Sequence, residues 1–134
     1  MKKKIIISLI ILVSISFFVF EMKYDTTIYL GMASPTSDGQ SIDVEVVIDG
    51  ELIKKDSINN NPYKFNMIKR KLGIGFRRVE IISIKANVYS KETLLIFPNQ
   101  FILMEFLPAC EMNKEIIYPP RFHIANGFNP FYYE

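Results

Sequence analysis

The chain opens with an apolar run unlike anything after it. Residues 5–20 read IIISLIILVSISFFVF and carry no charge, with Ser8, Ser14 and Ser16 as their polar positions. Three lysines at positions 2–4 precede the run. A positive start before a long apolar segment is typical of a signal peptide or signal anchor. The alternative for a run that is apolar on every face is a buried core helix in a soluble protein, which the three preceding lysines disfavour. Residues 1–23 are therefore predicted to form such a leader, as an N-terminal hydrophobic helix.

Two fates of this leader fit the pattern. The 16 residues of the run span about 24 Å as a helix, somewhat less than the ~30 Å hydrocarbon core of a bilayer. Cleavage needs small residues, but cutting after Ser14 or Ser16 would leave a very short leader, and residues 19–23 are bulky or charged. We favour a retained anchor, with secretion or periplasmic release after cleavage as the alternative. The lysines favour the cytoplasmic side, so the remaining chain is predicted to be extracytoplasmic.

The clearest periodic signal after the leader lies at residues 42–56. Ile42, Val44, Val46 and Ile48 alternate with mainly acidic positions, which places them on one face of a strand. Asp49-Gly50 follows, and then a second short run begins. Asp-Gly between two such runs indicates a hairpin, because a type I′ turn needs positive φ at both central residues.

Other runs of the chain predict further short strands separated by turns. The predicted strands cover residues 26–32, 63–67, 79–89, 93–97 and 100–107, with a short strand ending at Ile124. The predicted turns and loops cover residues 33–41, 59–62, 69–78, 90–92 and 98–99. Strands at roughly ten-residue spacing are typical of an antiparallel sandwich. The predicted fold is thus mainly β, with an N-terminal hydrophobic helix followed by one small antiparallel β-sandwich over residues 24–134.

The C-terminal segment, residues 108–134, differs in composition from the rest of that domain. It carries four prolines, and its last residues are crowded with Phe and Tyr, namely Phe128, Phe131, Tyr132 and Tyr133. A terminus this aromatic is predicted to pack on the body of the domain.

The order of these features resembles one group of proteins. An Asp-Gly hairpin, a glycine-containing loop entering a strand, a hairpin into a very apolar strand and then Tyr118-Pro119-Pro120-Arg121-Phe122 look like small exported β-sandwich proteins of uncharacterised function. Their overall shape is similar to transthyretin-like or immunoglobulin-like modules. The resemblance covers about residues 26–134. It implies a fold class without an activity, and no site residue follows from it.

Amino-acid composition and charge restrict the kinds of partner that the domain could bind. Charged residues make up 22% and apolar residues 49% of the chain, which is ordinary for a globular protein. Basic residues outnumber acidic ones by 16 to 14, but without the three leader lysines the balance is 13 to 14. The domain therefore has no excess of positive charge that would indicate a nucleic-acid partner. With Cys110 as the single cysteine, no intramolecular disulfide can form, and the domain must depend on its core.

Few residues suggest chemistry. His123 is the single histidine, whereas a metal site needs several converging ligands. A nucleophilic Cys110 would have His123 as its one possible imidazole base. Gly73-Ile74-Gly75 lacks the Lys-Ser/Thr of a phosphate loop and is predicted to be a turn. We predict no catalytic residue, no metal and no cofactor; a hydrolase that uses His123 is the minor alternative.

One charge cluster remains as a candidate site. Five cations fall within ten residues, at Lys69, Arg70, Lys71, Arg77 and Arg78. They form either a solvated loop or a contact with an anionic surface, such as lipid headgroups or an acidic partner.

The predicted function is a non-catalytic extracytoplasmic β-sandwich that binds a protein or surface partner. It is tethered to the membrane through residues 5–20, or secreted, and an envelope protein is one predicted partner. Exposed strand edges or the aromatic tail would supply the contact. The alternative is a module that binds a small apolar ligand or a carbohydrate between its Phe and Tyr side chains.

Overall fold

A computed structural model describes residues 2–112 and 115–128. Within them the chain forms one helix and ten strands. In chain order these elements are α1 (Lys2–Glu21), β1 (Lys23–Met32), β2 (Ile42–Ile48), β3 (Glu51–Ile58), β4 (Asn66–Gly73), β5 (Gly75–Ser83), β6 (Val88–Ile96), β7 (Phe101–Leu107), β8 (Cys110–Met112), β9 (Glu115–Tyr118) and β10 (Arg121–Gly127).

The strands form two four-stranded sheets and a separate hairpin. The first sheet has the order β10-β7-β1-β4 and the second the order β3-β2-β5-β6, while β8 pairs with β9 alone. The second sheet is antiparallel throughout. In the first sheet, β1 runs parallel to β7, with Ile28 opposite Ile102. The prediction of a wholly antiparallel sandwich was therefore wrong at this pair, because a parallel partner distant in the chain leaves no turn signal in the sequence.

The core lies between the two sheets and follows strand alternation. β2 buries every second residue, as its sequence pattern predicts. β1 and β7 supply the other side of the core through Ile28, Leu30, Ile102 and Met104, all fully buried. One cluster of buried side chains thus joins both sheets, and the mainly β, two-sheet part of the prediction is confirmed.

Side chains join the two sheets where their edge strands meet. On one side, the Phe122 N–H donates to Ser90 Oγ at 3.3 Å, which links β10 to β6. On the other, Asn66 Nδ2 donates to the Ser57 carbonyl at 2.9 Å, which links β4 to β3. These contacts protect edges that would otherwise offer unpaired backbone groups to other chains.

The predicted Asp-Gly hairpin is confirmed. Asp49 has φ 52° and Gly50 has φ 83°, as a turn with two left-handed central residues requires. The turn also contacts the neighbouring strand, because Asp49 Oδ1 accepts the Arg78 N–H at 2.9 Å and the Asp49 N–H donates to the Arg78 carbonyl at 2.8 Å. A bulge between Val46 and Val47 shifts the register of β2 against β3.

The predicted long strand at residues 79–89 was wrong. β5 ends at Ser83, a turn follows, and β6 begins at Val88, so the turn predicted at residues 90–92 lies inside β6. Asn87 takes φ 52° in the observed turn, a conformation that Asn tolerates well. Asp43 holds this turn from another strand: its carboxylate accepts bonds from Ser83 Oγ and from the backbone N–H of Lys85.

The N-terminal helix is present, and its described apolar side chains are exposed, among them Ile5, Leu9 and Leu12. No helix within the described residues combines the length and the hydropathy that crossing a bilayer requires. The predicted packing of the aromatic tail falls largely on residues 129–134, which lie outside the described residues; Phe128, the first of these aromatics, is exposed.

Candidate binding surfaces

The end of the sandwich next to α1 is defined by the strand registers. β1 begins at Lys23, with Met22 alone between it and α1, and Lys23 lies opposite Gly73 at the end of β4. In the second sheet, the start of β5 at Gly75 lies opposite Ile96 at the end of β6. The Asp49-Gly50 turn lies at this end too, since Asp49 and Gly73 line one cleft. We term it the helix-proximal end, and the opposite end the distal end.

The predicted basic loop at residues 69–78 is in fact two strands. Ile74 alone separates β4 in the first sheet from β5 in the second. Gly75 takes φ 125°, which side chains with a Cβ rarely adopt, so the prediction of a turn at Gly73-Ile74-Gly75 is confirmed. Because successive residues of a strand point to opposite faces, this arrangement separates the five cations.

Lys69 and Lys71 are exposed on the outer side of β4, while Arg70 between them is half-buried. On β5, Arg77 is half-buried and Arg78 is exposed. The structure therefore brings the five cations to the helix-proximal half of the domain, with Lys69, Lys71 and Arg78 exposed and Arg70 and Arg77 half-buried.

Ion pairs engage the two half-buried arginines. Arg70 pairs with Glu51. Arg77 Nη1 lies 2.9 Å from Asp49 Oδ2, and its Nε donates to the Gly73 carbonyl at 3.2 Å. Arg78 lies 3.9 Å from a carboxylate oxygen of Glu80. Within the described residues Lys69 and Lys71 form no ion pair, so they are the cations best able to meet an external anion.

A cleft of about 700 Å³ opens at the helix-proximal end between β3 and β4. It is lined by five cationic and three anionic side chains: Lys23, Lys69, Arg70, Lys71 and Arg77 against Glu21, Asp49 and Glu51. The excess of positive charge makes this end more favourable to anions than to cations.

A second cleft, of about 560 Å³, lies at the distal end. Residues 34–41 form one wall with several hydroxyl groups, and Phe106, Pro108 and Pro120 contribute apolar surface. The Gln40 backbone N–H and the Thr36 hydroxyl bond to the Asp38 carboxylate and hold its pKa below the ordinary value. Apolar surface beside a few fixed polar groups is the usual composition of a small-ligand site.

His123 and Cys110 lie in different surroundings. His123 is exposed on β10, opposite Glu105 of β7. Cys110 is exposed at the edge of the distal cleft. In the described part of the chain neither takes part in a side-chain hydrogen bond, and no three His, Cys, Asp or Glu side chains there are grouped to hold a metal.

Sequence reasoning missed two exposed phenylalanines at the helix-proximal end, Phe76 and Phe97, whereas it had placed the third, Phe128, in the aromatic tail. The available signals were weak. Phe76 stands among glycine and arginine in a segment predicted to be a loop, and Phe97 directly precedes Pro98.

Comparison with protein-family models, with curated proteins and with solved structures gives no match for this chain. The resemblance to exported transthyretin-like or immunoglobulin-like modules therefore stays a prediction.

Proposed function

We propose that this chain is a non-catalytic β-sandwich that residues 5–20 attach to a membrane or direct across it, and that its domain binds a protein or surface partner on the extracytoplasmic side. The junction between helix and sandwich carries the proposal. The described apolar side chains of α1, from Ile5 to Val19, are exposed, and the sandwich begins after a single residue, Met22. Exposed apolar side chains on this scale are costly in water, and lipid removes that cost.

The three lysines at positions 2–4 support the orientation, because basic residues beside an apolar segment stay on the cytoplasmic side. A retained helix of this length would need local thinning of the bilayer or lysine side chains extended toward the headgroups. If the leader is removed after targeting, the same domain is secreted or periplasmic.

Lys69 and Lys71 support an anionic surface as the partner, since both are exposed and lack an ion pair within the described residues. Each basic residue near an anionic bilayer contributes about 1 kcal/mol of attraction. An acidic envelope protein offers the same complementarity.

The topology is tested with full-length protein carrying a C-terminal tag in its own host. We expect either intact mass in the membrane fraction, with the tag cut by external protease, or a shortened chain in the extracytoplasmic fraction. A matched Ile10→Arg/Leu12→Arg variant interrupts the apolar run and should remain in the cytosol with its tag protected. Finding the unaltered full-length chain in the cytosol would contradict the proposal.

The distal cleft favours a second candidate function, the binding of a small apolar ligand or a carbohydrate. Its volume of about 560 Å³ lies within the usual range of ligand sites, roughly 300–1,000 Å³. The test is a thermal-shift screen of the full chain against monosaccharides and medium-chain fatty acids. Ala109→Trp, which fills the cleft, should abolish any rise in Tm, and Lys91→Trp, on an exposed strand position away from the cleft, should preserve it. No rise with any compound, or a rise retained in Ala109→Trp, would reject ligand binding in this cleft.

A further inference from the structure

The helix-proximal end carries a group of exposed apolar side chains. Phe76, Leu95, Phe97 and Phe128 keep 74%, 39%, 42% and 65% of their surface accessible. We term these four residues the apolar rim. Isolated exposed apolar residues are common, whereas several together mark an interaction surface.

Hydrogen bonds and strand register place the rim residues at one corner. Phe76 lies directly opposite Leu95 across β5 and β6, and Phe97 follows Leu95 by two residues, on the same side of the strand. Asn126 Nδ2 donates to the Leu95 carbonyl at 2.8 Å and to Gln100 Oε1 at 3.0 Å.

The same Gln100 oxygen also accepts the Phe97 N–H at 3.0 Å. Gln100 is buried, so this junction is not a loose surface contact. It joins the end of β10, where Phe128 follows Gly127, to the end of β6. The rim is therefore one surface contributed by β5, β6 and the residue after β10.

The position of the rim relative to α1 follows from the chain itself. Gly75 and Ile96, beside the rim, lie at the helix-proximal end, and Met22 alone separates α1 from β1. One residue extends the chain by at most about 3.6 Å. The rim therefore lies at the end of the sandwich from which α1 leaves.

Charge at this end complements an anionic lipid surface. Arg78 follows Phe76 on the same exposed side of β5, and Lys23 and Lys71 are exposed at the same end of the sandwich, on β1 and β4. Of the three carboxylates in the helix-proximal cleft, Asp49 and Glu51 are engaged by Arg77 and Arg70, while Glu21 is exposed and has no ion pair within the described residues. Phe and Leu beside lysine and arginine are the composition of amphipathic surfaces that lie in the membrane–water interface.

We propose that the apolar rim lies in the headgroup region of the bilayer that holds α1, so that the helix-proximal end of the sandwich contacts the lipid. This inference rests on the proposed membrane attachment and adds a fixed orientation to it. The distal cleft and Cys110 then face away from the membrane. β1 has ten residues and is therefore about 33 Å long as an extended strand. This distance between the two ends of the sandwich exceeds the thickness of the headgroup region.

The single cysteine makes a direct test possible. The full chain is reconstituted in phosphatidylcholine–phosphatidylglycerol vesicles that contain a headgroup nitroxide, with an environment-sensitive dye on one thiol. Two labelled proteins are compared. The first carries the dye at Leu95→Cys in a Cys110→Ser background and keeps all three phenylalanines of the rim. The second carries the dye on the native Cys110. Interfacial side chains lie about 5–10 Å into the headgroup boundary. The nitroxide should therefore lower the fluorescence of the dye at position 95 about twofold. Quenching at Cys110 should be absent.

A variant set separates the rim from exposed apolar residues in general. Phe76→Ser/Phe97→Ser/Phe128→Ser, added to the position-95 label, should remove the quenching. The control Tyr63→Ser/Ile84→Ser changes two apolar side chains that are also exposed but lie in distal turns, and it should preserve the quenching. Far-ultraviolet circular dichroism of each variant checks that the sandwich is folded; since every altered side chain is exposed, we expect unchanged spectra.

The possible outcomes distinguish this inference from the function on which it rests. Failure of the labelled chain to float with the vesicles would overturn both. Flotation without quenching at position 95 would contradict the contact between the rim and the lipid, but not the membrane attachment. Quenching that persists in the triple serine variant would also contradict that contact. Energy transfer between labelled copies without nitroxide quenching would show that a second copy covers the rim, and would replace the lipid with a dimer interface.

Discussion

At the scale of single residues, Asp43 shows how one side chain determines a distant turn. Its carboxylate accepts hydrogen bonds from Ser83 Oγ at 2.9 Å, the Ile84 N–H at 3.1 Å and the Lys85 N–H at 2.8 Å. Partial burial opposes ionisation, but the bonds from Lys85, Ser83 and Ile84 outweigh it and hold the pKa of Asp43 below its ordinary value. The partners are about forty positions away in the chain, so no local pattern could predict this turn.

We expect Asp43→Ala to lower the free energy of unfolding by about 1–2 kcal/mol at pH 7, because bonds to a charged acceptor are lost at a partly exposed site. Since the folded-state pKa is lowered, the stabilisation is present above the unfolded-state pKa and is lost as the pH falls through the folded-state pKa. Urea unfolding of both proteins between pH 7 and pH 2 measures the difference.

Asp25→Ala is the matched control, because Asp25 is exposed on β1 and accepts no side-chain hydrogen bond in the described part of the chain. The control should unfold within about 0.5 kcal/mol of the unaltered protein. The hydrogen bonds to Asp43 do not stabilise the turn if Asp43→Ala lowers the free energy of unfolding as little as the control does. The same conclusion follows if the difference in free energy of unfolding between Asp43→Ala and the unaltered protein does not shrink at low pH.

At the scale of elements, the tight connection at Ile74 determines which cations meet solvent. Because β4 and β5 belong to different sheets, the alternation of each strand points Lys69, Lys71 and Arg78 outward and turns Arg70 and Arg77 toward carboxylates. A flexible loop would have left all five cations equivalent.

We therefore expect the triple variant Lys69→Gln/Lys71→Gln/Arg78→Gln to weaken the dependence of rim contact on anionic lipid. At about 1 kcal/mol per cation, attraction of about 3 kcal/mol is removed. The measurement is quenching of the position-95 label as the phosphatidylglycerol fraction rises, which should increase for the unaltered protein and stay level for the variant.

The matched control is Lys54→Gln/Lys64→Gln/Lys91→Gln, which removes three exposed lysines farther from α1. It changes the net charge equally and should retain the response to anionic lipid. An equal loss in both variants would mean that net charge, rather than the positions of the cations, governs the contact.

Whether an element could be predicted depended on how far apart in the chain the residues that form it lie. The β2–β3 hairpin depends on alternation and on Asp49-Gly50, both of which lie within one short segment, and its prediction was confirmed. The boundary between β5 and β6 depends on Asp43, and the prediction there was wrong. The cation site stays a prediction, and the ion pairs of Arg77 with Asp49 and of Arg70 with Glu51 follow from the tertiary fold alone.

At the scale of the whole molecule, the two ends of the sandwich differ in character. The helix-proximal end carries α1, the net positive cleft and the apolar rim, while the distal end carries the hydroxyl-lined cleft and Cys110. This polarity arises because β1 starts one residue after α1, and the strand registers place β4, β7 and β10 relative to β1, and β2, β3 and β6 relative to β5. A domain with membrane attachment at one end would leave the other end free for a partner.

The sequence by itself determined the features that depend on neighbouring residues: an apolar N-terminal run behind three lysines, a mainly β domain, and the Asp-Gly hairpin. It did so because hydrophobic periodicity and turn chemistry act over a few residues. The tertiary structure alone decided the parallel pairing of β1 with β7, the turn held by Asp43, the separation of the five cations and the meeting of Phe76, Phe97 and Phe128 at one end. Those depend on contacts between residues far apart in the chain, and the packing of two sheets around one core selects them.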